Sequence, residues 1–417
     1  MRQMEGSEEM PELNAGDTAW LLVSAALVMI MLPGLALFYG GLVRRKNVLS
    51  TIMHSFFALA LVSVIWVVIG FTLAFGEDVN GMGLIGGLDF VGFANVGMEA
   101  NETFAPGVPF VLFAAFQMMF ACITAALISG AFAERKRFGA FVLFTILWSI
   151  LVYAPLAHWV WAPGGWLREL GALDFAGGTV VHISSGVSAL VAATVIGRRY
   201  TNGDRLDPHD VPMTVLGAGL LWFGWFGFNA GSALAANGLA ANAFLVTNTA
   251  AAAAVLSWVA VSYMHRGKVS VVGAVTGAVA GLVGVTPAAG FVTAGGAIVI
   301  GFGAGALCYG ATLLRERLRI DDALDVFAVH GVGGAFGAVA TGALAVAAIG
   351  GVSGAIEGNV AQLGIQLIAV LAAAAFAGVM TFVIVKIVGF ALGLRVEQAV
   401  EESGLDLALH GEAAYQP

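Results

Sequence analysis

The sequence predicts an all-α integral membrane protein with 11 transmembrane helices, its N-terminus outside and its C-terminus inside. Three observations carry this. The 417-residue chain is 59% hydrophobic and only 11% charged, with a mean hydropathy of +0.93. A soluble domain is about one-quarter charged, so these charges are too few to cover a soluble surface of this size. The apolar residues are gathered into runs of about 20 or more, the length at which a helix crosses a bilayer. The basic residues fall in alternate loops, the pattern that marks the cytoplasmic side.

In order, the apolar runs cover roughly 18–40, 48–75, 109–132, 138–161, 177–197, 212–233, 243–264, 270–288, 291–314, 326–349 and 361–393. The first follows Met1 to Asp17, which holds four glutamates and one aspartate against one arginine. That is the reverse of a secretory leader's basic start. Ala19 to Phe38 then leads into Arg44-Arg45-Lys46 and not into a cleavage site, so it reads as a retained first span. Two outside loops stand out. Residues 76–108 are rich in glycine and acidic residues, and 162–176 carry Trp166, Arg168 and Asp174. The turn around Pro287 joins two spans closely. Residues 1–17 thus form an extracellular segment, 18–393 the membrane domain, and 394–417 an acidic, polar cytoplasmic tail with the length of a docking segment. The 57 glycines predict closely packed helices, because small residues let helix backbones approach in lipid.

Charge tests the span count. With the N-terminus outside, the inside loops hold Arg44, Arg45, Lys46, Arg135, Lys136, Arg137, Arg198, Arg199, Arg205, Arg266, Lys268, Arg315, Arg317 and Arg319, and Lys386 and Arg395 lie at the inner end of the last span. Only Arg2 and Arg168 of the 18 basic residues fall outside. A wrong count would scramble that alternation. No basic cluster suits nucleic acid. Cys122 and Cys308 both lie in apolar runs and make no metal or redox spacing.

Ionisable residues inside such runs are costly and mark function or a specific partner. Asp174 stands eight residues before His182, and Asp322 stands eight before His330. His182 falls on the fifth span, running inward, and His330 on the tenth, running outward. The chain therefore reads as an inverted repeat of helices 1–5 and 6–10, a plan that places the site at the repeat interface. A facing pair of imidazoles shares one hydrogen bond and still offers nitrogens to a passing molecule. The alternatives are two separate helix–helix hydrogen bonds, or bis-histidine haem ligation, for which no other ligand pattern speaks. Asp174, at a helix entrance, fits a cap or an electrostatic role better than a proton acceptor. His54, His209, His265 and His410 read as incidental, and His158 is undecided between packing and binding.

Three aromatic stretches accompany the histidines. In Ala114 to Thr124, Phe116 and Phe120 are four residues apart and share a helix face. In Gly224 to Ser232, aromatic and small residues crowd one span, and Ser232 places a hydroxyl near its outer end. In His158 to Trp166, several tryptophans cluster at a span end. Each has an ordinary reading as packing or interfacial anchoring. Together they can also hold a small cation, at about 0.5–2 kcal/mol per ring contact.

Leu32-Pro33-Gly34, Leu37-Phe38-Tyr39-Gly40-Gly41, Ala172 to His182, Gly224 to Ser232, Val326 to Gly331 and His410-Gly411-Glu412 together resemble the ammonium transporter (Amt/Rh) family, on its Amt branch, from about Leu13 to Tyr415. DFAGGTVVHI and GWFGFNAGS rarely occur elsewhere. The resemblance implies a transporter and no enzyme, without cofactor or metal, multi-pass in the plasma membrane. It implies an eleven-helix protomer in a homotrimer, with one pore each. Trp161, Phe116 and Ser232 match the family's outer ammonium site, and Phe120 and Phe228 the stacked gate below it. His182 and His330 match the twin histidines of the pore, and Asp174 the aspartate of the outer vestibule. The tail matches the segment that meets PII-type signalling proteins. The run from Trp161 to Asp174 is one residue longer than the family pattern, so the outer vestibule differs, and 76–108 has no clear counterpart.

On this reading ammonium, or methylammonium as its analogue, is recruited as a cation, loses its proton and crosses as ammonia beside the histidines. Potassium cannot shed a proton and would be rejected chemically. Three other functions remain open at this level. One is a neutral gas channel, against which the Trp161 and Ser232 cage argues. Another is an ammonium sensor signalling through the tail, and the third is a redox membrane enzyme.

Overall fold

A computed structural model describes residues 12–201 and 206–415. Residues 1–11 of the expected N-terminal segment, Arg2 among them, and Arg205 of the charge alternation lie outside the described residues. Eleven helical rods follow one another: α1 (Ala15–Leu42), α2 (Arg45–Phe75), α3 (Phe110–Phe132), α4 (138–161), α5 (Gly178–Ile196), α6 (Val211–Gly231), α7 (Gly238–Arg266), α8 (Val271–Val285), α9 (Ala294–Arg317), α10 (Phe327–Leu344) and α11 (Ala361–Leu392). Ten of the described helical stretches are long and apolar enough to cross a membrane. The run expected at 270–288 yields only the 15-residue apolar helix α8, because Thr286 and Pro287 carry the chain into turns. Among the described residues the one element that is not helical is a small antiparallel hairpin in the long loop, β1 (Ala100–Asn101) with β2 (Ala105–Pro109). The end of the bundle carrying this hairpin is called the hairpin end below, and the opposite end, carrying the C-terminal tail, the tail end.

Glycine explains how tightly the rods pack. At Gly217 of α6 an added Cβ would stand 2.2 Å from the Phe38 backbone nitrogen of α1, so those two helices meet backbone to backbone. At Gly186 of α5 it would stand 2.2 Å from the backbone nitrogen of Gly331 on α10. Without a hydrophobic drive between helices in lipid, such close contact and interhelical hydrogen bonds supply the adhesion. Trp148 Nε1 donates to Ser188 Oγ and Thr381 Oγ1, joining α4, α5 and α11. Gln366 of α11 accepts from Leu173 N and donates to Leu173 O and Ala338 O, which fixes the segment leading into α5.

The long loop is a packed cap. Phe90, Phe93 and Phe104 insert among Phe71, Phe75, Phe110 and Phe113, with ring centroids 5.3–5.7 Å apart for the closest pairs such as Phe90–Phe110 (5.3 Å) and Phe75–Phe104 (5.7 Å). His158 of α4 ties it down, with Nδ1 3.1 Å from Ala74 O and Nε2 3.1 Å from Asp78 Oδ1.

At the tail end a buried ion network replaces apolar packing. Glu134 Oε1 accepts from Arg44 N (2.8 Å), Arg44 Nε (2.9 Å) and Asn47 Nδ2 (2.8 Å), and Oε2 accepts from Arg199 Nη1 (2.6 Å). Arg199 in turn pairs with Asp321 at 2.7 Å. Burial raises the Asp321 carboxyl, but hydrogen bonds and charge from Arg199 outweigh it and bring it to about 2. The tail docks on this network. Asn47 Oδ1 accepts from Leu405 N at 2.8 Å, and the Asp406 carboxylate accepts from Ser50 N (2.8 Å) and Leu49 N (3.1 Å), capping α2 from outside its own helix.

Candidate functional site

The site lies along α3, α5, α6 and α10. Both histidines sit on π-helical turns, Gly178–Ile183 and Phe327–Gly331, rather than on regular α-helix. Such bulges turn side chains away from their usual face and are frequent at functional positions. The first begins at Gly177, whose φ of +114° favours glycine. There the chain is pinned by Asp174. Its Oδ1 accepts from Gly177 N (2.8 Å) and Gly178 N (2.6 Å), and its Oδ2 from Thr179 N (2.8 Å) and Val180 N (3.1 Å). Burial pushes the Asp174 carboxyl up, and these four N–H groups oppose that. With all four acceptor positions spent on α5, Asp174 anchors the helix and lends charge.

His182 and His330 meet where α5 and α10 cross. Their Nδ1 atoms are 3.1 Å apart, and the rings are tilted by 30° with centroids at 5.2 Å. One Nδ1 must donate and the other accept, so the two rings hold opposite tautomers. His182 lies near-parallel to Trp225 (5.4 Å, 24°) and Phe228 (6.0 Å, 22°). Trp225 is held there by its Nε1–H, donated to Thr286 Oγ1 at 2.9 Å. The lumen beside the pair is lined by Leu35, Ile123, Leu127, Leu221 and Val279, and offers about 10 Å³ to the centre of a water-sized sphere. That is room for about one water. His182 Nε2 is buried and has no partner among the described residues.

Toward the hairpin end, Phe120 and Phe228 close the lumen with centroids 4.3 Å apart and planes at 35°. Beyond them opens a cavity of about 330 Å³ lined by Gln117, Phe120, Trp161, Asp174 and Ser232, with Thr103 and Phe104 reaching in from the loop. Trp161 meets Phe120 edge-on at 5.9 Å, and its Nε1 donates to Asp174 O at 3.1 Å. Ser232 Oγ donates to Phe228 O at 2.8 Å, so its lone pairs are free to accept. Toward the tail end, His330 reaches the floor of a second cavity of about 600 Å³, lined also by Tyr39, Arg199, Asp321 and Asp325.

The sequence-selected residues are therefore gathered along one path, with one difference of placement. Phe116 is fully buried behind Phe120, its centroid at 4.9 Å, and does not line the hairpin-end cavity. From α3 the cavity is faced by Phe113, Gln117 and Phe120. Those spacings of four and three trace one helix face, and reading them in place of the Phe116–Phe120 pair would have found Gln117.

Comparison with known proteins shows the family. Residues 19–415 match the model of the Ammonium Transporter Family. The chain belongs to that family. It is 51% identical to the ammonium transporter of Bacillus subtilis over 407 residues, covering 97% of this chain and 99% of the relative. It is 48% identical to ammonium transporter Amt1 of Archaeoglobus fulgidus, with 97% and 100% covered. The crystal structure of Saccharomyces cerevisiae Mep2 superposes with a TM-score of 0.89 at 40% identity, over 97% of this chain and 92% of that one. As a member of the ammonium transporter family, the chain transports ammonium across a membrane.

Two further sets of residues escaped sequence reasoning. Arg44 and Arg199 count in the sequence only as loop charges and Glu134 does not stand out at all, because a buried ion network depends on partners far apart in sequence. Asp406 lay in a tail whose composition showed polarity but not its target.

Proposed function

We propose that this ammonium transporter recruits ammonium as a cation in the hairpin-end cavity, strips one proton there, and passes ammonia along the lumen beside His182 and His330. The proton crosses separately through the histidine pair. The observation that carries this reading is the 3.1 Å Nδ1–Nδ1 contact in a lumen otherwise lined by apolar side chains. A fixed charge in such a lumen costs several kcal/mol, whereas neutral ammonia both donates to and accepts from the imidazoles. At the cavity, the faces of Trp161 and Phe120 attract a cation and Ser232 Oγ accepts one of its N–H groups. Phe120 and Phe228 part to admit the neutral species, and Phe116 backs Phe120 from within the bundle. Asp174 holds the start of α5 and adds negative potential. His330, bordering the tail-end cavity, completes a path on which one proton hops from His182 to His330 as the tautomers exchange.

The remaining features follow the same reading. The hairpin end is outside and the tail end inside, as the basic loops indicate. The eleven rods act as eleven spans, with α8 completed by the turns after it, and helices 1–5 and 6–10 form an inverted repeat. Asp174 before one histidine turn and Asp322 before the other support that symmetry. The protomers form a homotrimer in the plasma membrane lipid bilayer, and the docked tail presents a surface to a PII-type cytoplasmic protein.

Methylammonium uptake and ammonium-evoked current in proteoliposomes test the proposal together. Wild type should show both, and His182→Ala should lose the selective, charge-coupled component. Uptake without any charge movement in wild type would show neutral passage and overturn the separated-proton reading.

A further inference from the structure

We infer that Gln117 is a second hydrogen-bond acceptor for the recruited ammonium ion. This rests on the proposed recruitment in the hairpin-end cavity and deepens it. The side chain lines that cavity from α3, and Ser232 lines it from the end of α6. Its Oε1 is buried without a hydrogen-bond partner, and Nε2 has no partner among the described residues either. An idle amide in a built site is unusual, since buried polar groups are satisfied almost everywhere in proteins.

The other polar groups of the cavity explain why it matters. Ammonium presents four N–H donors and needs acceptors. The Asp174 carboxylate is filled by four backbone N–H groups at the start of α5, Gly177 to Val180. Trp161 Nε1 is a donor and is spent on Asp174 O. Apart from the Thr103 hydroxyl, which reaches in from the loop, that leaves the Ser232 lone pairs and the Gln117 carbonyl on the helices. A half-turn about the last side-chain torsion exchanges the amide oxygen and nitrogen without moving other atoms, so the oxygen turns to a cation in the cavity. With Ser232 and Gln117 accepting from two sides, two N–H groups are held and the others lie over the faces of Trp161 and Phe120. A neutral carbonyl suits this task. It helps capture the cation, but it does not hold it against deprotonation as a carboxylate would.

The test is an ammonium titration of transport current with the full-length chain reconstituted in vesicles, comparing wild type, Gln117→Leu and Gln117→Glu. Loss of one hydrogen bond to a charged group predicts a half-saturating concentration about tenfold higher for Gln117→Leu, with the maximal current kept within about twofold. Gln117→Glu, nearly isosteric, should lower the half-saturating concentration and lower the maximal current, because the cation is bound more tightly and gives up its proton less readily. Opposite shifts from the two variants are what a merely structural amide would not produce. Unchanged half-saturation in Gln117→Glu, or a fall in maximal current alone in both, would overturn the inference. If Gln117→Leu does not assemble, the Gln117→Glu titration decides alone. A wild type without ammonium-evoked transport would instead sink the recruitment reading on which this one stands.

Discussion

His182 and His330, 148 residues apart in sequence, share a hydrogen bond between their Nδ1 atoms at 3.1 Å. The backbone makes this possible. Gly186 on one helix and Gly331 on the other admit a crossing that any Cβ at Gly186 would block at 2.2 Å. Each ring is then turned by a π-helical turn toward the other. On the proposed function, the shared proton keeps both rings neutral in a space with room for about one water, a condition that would favour ammonia over any permanent cation.

Trp161 lines the hairpin-end cavity, and in the proposed recruitment it supplies the largest aromatic face. Trp161→Ala should raise the half-saturating ammonium concentration by roughly 2- to 30-fold, which corresponds to the loss of about 0.5–2 kcal/mol of cation–π attraction. Concentration dependence of ammonium-evoked current is the measurement. An unchanged half-saturation would show that the cation is not held there.

Arg168 places a guanidinium at the rim of the same cavity, where Nη1 donates to Trp161 O. Under the proposed recruitment its charge repels the ammonium ion it would border. Arg168→Gln should lower the half-saturating concentration by roughly 2- to 5-fold at low ionic strength, and the gain should fade at about 0.5 M salt because screening removes it. A gain that persists at high salt would point to altered shape in place of charge.

Much of this architecture is legible in the sequence, and the illegible parts have physical reasons. Hydropathy and the alternation of Arg and Lys locate the rods, because lipid enforces both. The Asp174–His182 and Asp322–His330 spacing is visible because ionisable residues are so rare in those runs. The π-helical turns leave no such trace, since an apolar run looks the same at any helical period. The 76–108 loop hid its order because Phe90, Phe93 and Phe104 dock singly between irregular turns. Gln117 was hidden by the pairing of Phe116 with Phe120, which share a face that is only partly the face of the cavity.

Glu134 is fully buried between Arg44 and Arg199. Glu134→Gln turns an amide N–H₂ toward guanidinium donors and removes the buried carboxylate charge that Arg44 and Arg199 share. Breaking a buried ion network costs about 3–5 kcal/mol, so the purified variant should unfold at a clearly lower temperature than wild type and release the tail to proteolysis. Equal thermal midpoints would show that the network contributes little to folding.

Asp322 is buried with Oδ2 accepting from Phe327 N at 2.7 Å and Oδ1 unpartnered among the described residues. Burial first, and then the charge of Asp325, hold its carboxyl up at about 6, with Arg315, paired to Asp325 at 2.6 Å, opposing. The folded state therefore keeps a proton that an unfolded aspartate releases near pH 4. Stability from this group is complete below about pH 4 and is lost as pH rises through about 6, by about 3 kcal/mol in all. Asp322→Asn should flatten that window and unfold at a higher temperature than wild type above pH 6. Thermal midpoints of the detergent-solubilised protein at pH 4.5, 6 and 8 test this, and a wild-type midpoint that rises across the window would contradict it.

The separate passage of ammonia and a proton is tested most directly by currents from proteoliposomes on a solid-supported membrane, with ammonium and potassium pulses applied to wild type and to His182→Ala. The account predicts a current with ammonium and none with potassium in wild type, and a potassium current in His182→Ala, where the neutral histidine barrier has been replaced by space for water. A potassium current in wild type, or ammonium uptake with no current at all, would contradict it.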